Sequence, residues 1–104
     1  MIQVEAKAQI QWAHYRSRRG KWIAVCDPLG ITLQSDKFSD LVEDMAHALN
    51  ALLKDLLQEG ELERFLRDRG WSLTGPTPAA PDDVWFDVPF ATRAAERDPE
   101  VAVH

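Results

Sequence analysis

Ile2, Val4, Ala6, Ala8, Ile10 and Trp12 are apolar, and the residues between them, Gln3, Glu5, Lys7, Gln9 and Gln11, are polar. Alternation of this length predicts a strand with one face on a core and one in water, as in an antiparallel sheet. Arg16-Ser17-Arg18-Arg19-Gly20-Lys21 interrupts the pattern. Gly20 tolerates a positive φ, so the segment predicts a hairpin turn. Trp22–Asp27 predicts a second, more central strand, apolar on both faces. Asp27-Pro28-Leu29-Gly30 is turn punctuation, and Ile31-Thr32-Leu33-Gln34 predicts a short third strand.

The period then changes. Phe38, Leu41, Val42, Met45, Leu49, Leu52, Leu53, Leu56 and Leu57 recur at spacings of three and four, which predicts a long amphipathic helix. Asp36 or Ser39 can cap its start, and Asp40, Glu43 and Asp44 suit its positive end. Gly60 ends it, and Leu62, Phe65 and Leu66 predict a short second helix closed by Gly70. The order predicts an α+β fold: a three- or four-stranded antiparallel sheet, one long helix packed on one face, a short second helix and a late C-terminal strand.

The expected organisation is one α+β domain over 1–73, a proline-rich linker over 74–83 with Pro76, Pro78 and Pro81, a late strand over 84–90, and a flexible tail over 91–104. In the late strand Val84, Phe86, Val88 and Phe90 share a side, with Trp85 opposite, and Pro89 sets the strand at a sheet edge. Two outcomes are weighed. The strand pairs with its own sheet, or, as is expected, it pairs with a neighbour's and builds a homodimer or higher homo-oligomer. On the second reading Val84, Trp85, Phe86, Val88 and Phe90 are the contact residues.

Composition narrows the function classes more than it selects among them. The 104 residues carry 17 acidic and 12 basic side chains, a net charge of -5. That field disfavours non-specific nucleic-acid binding and anionic membranes. No apolar stretch is long enough to span a bilayer, and no signal peptide is recognisable. The one cysteine, Cys26, fits a reducing cytosol, so a cytoplasmic protein is expected.

Each candidate for chemistry has a plainer reading. Asp44-x-x-His47 shares a helix face, but His14 and His104 are the only other histidines, and no cysteine cluster completes a metal shell. Cys26 lies in an apolar strand, where a thiol is an inert small hydrophobe. Asp27, Asp36, Asp40 and Asp44 would suit a metal-dependent nuclease. A turn residue and a helix N-terminus account for all four. Arg16, Arg18, Arg19 and Lys21 make a basic hairpin tip of a kind that can touch phosphate, but a solvated tip that protects the edge is the plainer reading. No catalytic, metal or cofactor-binding residue is expected, and no cofactor.

The run Gly20-Lys21-Trp22-Ile23-Ala24-Val25-Cys26-Asp27-Pro28-Leu29-Gly30-Ile31-Thr32, then Gln34-Ser35-Asp36 and the helix with Ala46-His47-Ala48-Leu49, resembles the HicB antitoxin family over roughly residues 4–58. The resemblance implies a partial ribonuclease-H-like fold, three strands with a packed helix, without that fold's catalytic carboxylates. It implies a non-enzymatic protein that occludes a small ribonuclease toxin, HicA. The proline of the Asp-Leu-Pro-Gly turn is displaced here, and no helix-turn-helix or ribbon-helix-helix pattern follows, so DNA binding is not expected. The leading expectation is an antitoxin-type binding protein. The alternatives are a stand-alone HicB-like homo-oligomeric scaffold and, behind it, a metal-dependent nuclease using Asp27.

Overall fold

The computed structural model describes residues 1–95. Among them the chain forms β1 (Ile2–Lys7), β2 (Ile10–Arg16), β3 (Trp22–Cys26), a 3₁₀ turn (Asp27–Leu29), β4 (Ile31–Ser35), α1 (Phe38–Gln58), α2 (Leu62–Arg69), β5 (Ser72–Leu73), β6 (Val84–Asp87) and β7 (Phe90–Ala94). The class is α+β, with the long helix, the short helix and the late strand all present. Two compact units divide the chain. Among the described residues, one holds 1–9 with 46–89 and the other 10–45 with 90–95, and the divide falls within α1.

The second of these units is a four-stranded sheet in the order β4-β3-β2-β7. Strands β2, β3 and β4 form the expected antiparallel meander, with Arg16 opposite Trp22 and Trp22 opposite Ser35. The hairpin closes through the Ser17 N–H donating to the Lys21 carbonyl at 2.8 Å, and Gly20 takes a φ of 83° that a side chain would resist. β7 joins β2 in parallel, Ile10 beside Phe90 and His14 beside Ala94. The sheet is therefore mixed. Parallel neighbours need a crossover connection, and the chain between β2 and β7 is long enough to supply one. Trp12, Ala24 and Cys26 are buried on one face, and Phe38 of α1 meets Trp22 and His14 on that face.

The other unit is a three-stranded sheet in the order β5-β1-β6. β1 is central, antiparallel to β5 and parallel to β6, with Ile2 beside Val84 and Glu5 beside Asp87. Val4, Ala6, Val84 and Phe86 are buried, as are Leu49 and Leu53 of α1 and Leu62 and Leu66 of α2. The predicted helix phase holds: Leu41, Met45, Leu49 and Leu53, four apart, are the buried stripe. Gly70 closes α2 in the left-handed conformation, its N–H on the Arg67 and Leu66 carbonyls.

Three expectations are corrected. The single strand read from Ile2 to Trp12 is two, broken at Ala8 and Gln9. The strand read over 84–90 is also two, broken at Val88 and Pro89. The breaks share a cause. Four residues separate Glu5 from Ile10 but only two separate Asp87 from Phe90, and Pro89 has no N–H to give, so no continuous ladder forms. The tail read over 91–104 begins inside β7, which runs to Ala94. Its remainder, 96–104, lies outside the described residues.

Candidate functional site

The outward face of the three-stranded sheet brings two carboxylates side by side. Alternation along β1 turns Val4 and Ala6 inward and leaves Gln3, Glu5 and Lys7 exposed. The parallel register sets Trp85 beside Gln3 and Asp87 beside Glu5. Both carboxylates are exposed, and neither makes an ion pair among the described residues. Like charges placed directly opposite across strands cost stability, so this pair does not serve the fold. Trp85 stands half-buried next to it, edge-on to His47 of α1 at 5.2 Å and 80°. One helical turn on, Asn50 Oδ1 accepts the Phe86 N–H at 2.7 Å and closes the outer edge of β6. The result is an aromatic ring held in place beside two adjacent carboxylates, with Lys7 further along the same face of β1.

Of the five residues expected at a contact, Trp85 alone lies on this surface. Val84, Phe86 and Val88 are buried within the chain, and Phe90 packs edge-on against Trp12, centroids 6.4 Å apart. The apolar face that made a neighbouring copy attractive at 84–90 is covered by the chain itself. The late segment has paired with its own sheets.

The basic hairpin end is a separate feature of the four-stranded unit. Arg16 lies over the Trp22 ring at 5.6 Å and donates through Nε to the Gly20 carbonyl at 3.3 Å. Trp22 packs on Phe38, and His14 sits between Phe38 and Thr92, its Nδ1 2.7 Å from the Thr92 hydroxyl. Arg18 and Arg19 are exposed at the tip. Arg16 is thus engaged in holding the hairpin, while Arg18 and Arg19 are solvated.

Lys21 pairs with Asp36, whose side chain was expected at the helix cap. The hydrogen bond from Lys21, then its charge, holds the Asp36 carboxyl below its ordinary range. A lowered carboxyl contributes stability while ionised and loses it as pH falls through the lowered midpoint. Full exposure keeps that contribution small. In an NMR titration Asp36 is expected to titrate below the usual carboxylate value and to return to it in Lys21→Met. A midpoint that ignores the substitution would remove the lysine as its cause.

The remaining candidates do not converge. Among the described residues no three His, Cys, Asp or Glu side chains come together. Asp27 is exposed in the 3₁₀ turn, and Asp40 and Asp44 are exposed on α1. Cys26 is buried. Burial pushes its thiol up and Asp27 adds to this, partly offset by a hydrogen bond from the Leu29 backbone. A raised thiol stays protonated and unreactive at neutral pH. Among the described residues no helix is long and apolar enough to cross a membrane.

Sequence reasoning singled out Trp85 but missed Glu5, Asp87, His47 and Asn50 as its neighbours. Glu5 and Asp87 read as ordinary polar alternation until parallel pairing put them side by side. Comparison with protein-family models, curated proteins and solved structures finds no match for the chain.

Proposed function

We propose that the chain is a HicB-like, antitoxin-type binding protein that neutralises a small, basic, HicA-like ribonuclease by protein–protein contact. The observation that carries this reading is the unneutralised Glu5–Asp87 pair beside Trp85. Two adjacent carboxylates attract lysine and arginine, and a half-buried tryptophan offers a rigid face for a guanidinium or an apolar anchor. Complementary charge speeds the encounter and fixes the register. The resemblance over residues 4–58 supports the same reading, as does the meander of β2, β3 and β4 running directly into α1.

The test is capture of partners from the source cells on the purified chain, with identification by mass spectrometry. The expected partner is one small basic protein that cleaves RNA and stops doing so when the chain is added back. Glu5→Lys with Asp87→Lys keeps a like-charged pair in place and reverses its sign. It should weaken that complex about tenfold or more, as loss of charge complementarity does. Absence of a basic ribonuclease from the captured set would overturn the proposal, and so would equal binding by the reversed variant.

A further inference from the structure

We infer that β4 is the edge at which a second copy of this chain joins, giving one continuous eight-stranded sheet across a two-fold axis. Each of the other sheet edges is blunted. Asn50 occupies the outward N–H of Phe86 on β6. β5 is two residues long, and β7 follows Pro89 and carries the exposed Arg93. Short length, proline, charge and side-chain cover are the devices that keep strand edges from pairing. β4 has none of them. Ile31-Thr32-Leu33-Gln34-Ser35 contains no charge and no proline, and its register with β3 runs unbroken from Cys26–Ile31 to Trp22–Ser35.

The direction of the free backbone groups follows from the hairpin. Ser17 and Lys21 are a bonded pair, the Ser17 N–H on the Lys21 carbonyl. Antiparallel ladders alternate bonded and non-bonded pairs. Counting in twos along β3, Ile23 and Val25 turn their backbone groups to β2, and Trp22, Ala24 and Cys26 turn theirs to β4. On β4, Ile31, Leu33 and Ser35 are therefore engaged with β3. The N–H and C=O of Thr32 and Gln34 point outward, and no described residue bonds them.

This edge is self-complementary. An antiparallel pairing centred on Leu33 sets Thr32 of each copy opposite Gln34 of the other. Those two bonded pairs supply N–H···O=C bonds in both directions. The two Leu33 residues meet on the axis as a closely spaced non-bonded pair, and each Ile31 lies opposite a Ser35. Ile31 and Leu33, half-exposed in one copy, gain cover. No like charges oppose one another: Asp36, already paired with Lys21, falls opposite Gly30. A foreign strand would find the same backbone groups, but only a second copy repeats the Thr32–Gln34 match and the Leu33 contact twice.

The inference is independent of the proposed toxin partner, and its test uses the full chain alone. Light scattering and sedimentation across micromolar concentrations should give a dimer for the wild type. Thr32→Lys with Gln34→Lys places lysine opposite lysine at two exposed positions and should give a monomer with unchanged circular dichroism. Thr32→Lys with Gln34→Glu places lysine opposite glutamate and should restore the dimer. Leu33→Cys should oxidise to a covalent dimer, because the Cα separation of a non-bonded antiparallel pair, about 4.5 Å, lies within disulfide reach. A wild type that remains monomeric would overturn the inference. So would a dimer that survives the double lysine variant, or a Leu33→Cys chain that does not cross-link.

Discussion

Leu49→Ala is expected to lower the free energy of unfolding by about 2–5 kcal/mol, the usual cost of emptying a packed leucine site. Leu49 is 1% exposed and lies in the α1 stripe of Leu41, Met45, Leu49 and Leu53. Alanine removes three carbons from that site, and close-packed surroundings relax only in part to fill the space. Leu52→Ala, at a half-buried position on the same helix, should cost less, because its side chain keeps part of its contact with water. Denaturant unfolding of both variants provides the measurement, with a shifted midpoint and an unchanged slope as the sign of a stability effect. A loss for Leu49→Ala below about 0.5 kcal/mol, the range of surface substitutions, would place that helix face in solvent.

Asn50→Leu should cost about 1–3 kcal/mol, although leucine is the better helix former and the site is buried. Asn50 is 8% exposed, the one polar residue in the core of the described chain. Its Oδ1 accepts the outward Phe86 N–H, which has no strand beyond it. Leucine fills the volume and strands that donor, and an unpaired buried N–H costs more than a hydrogen bond contributes. Hydrogen exchange at the Phe86 amide should accelerate in the variant beyond the global loss of stability. An unchanged amide with unchanged stability would mean that Asn50 does not hold the edge. The same contact fixes β6 next to the ring of Trp85, so the variant should also loosen the surface proposed for partner contact.

How much of the candidate site could be read in advance follows from which interactions are local. Trp85 stood out as a large apolar side chain on the side opposite Val84, Phe86 and Val88. The acidic pair did not stand out, since Glu5 and Asp87 are far apart in sequence and each is ordinary in its own strand. Asn50 gave no signal beyond being a poor helix former inside an apolar run. The open edge of β4 was half legible. Its lack of charge and proline is visible in the sequence, but which backbone groups point outward depends on the bonded Ser17–Lys21 pair.

The amino-acid sequence alone determined the elements whose causes lie within a few residues. Period-two alternation made β2 and the inward Val4 and Ala6, Gly20 made the hairpin, and Asp27 to Gly30 made the turn before β4. Three-and-four spacing made α1 with the correct buried stripe, and Gly70 closed α2. Tertiary structure decided which strands lie side by side. It put β6 parallel to β1 and β7 parallel to β2, broke both long strands where Val88 and Pro89 are too short a match for the residues from Ala6 to Gln9, and hid three of the five expected contact residues. The physical reason is that periodicity tells each strand which side chains to bury but not which backbone to bond. Any extended segment offers the same N–H and C=O groups, so the choice of partner rests on packing between residues distant in the chain.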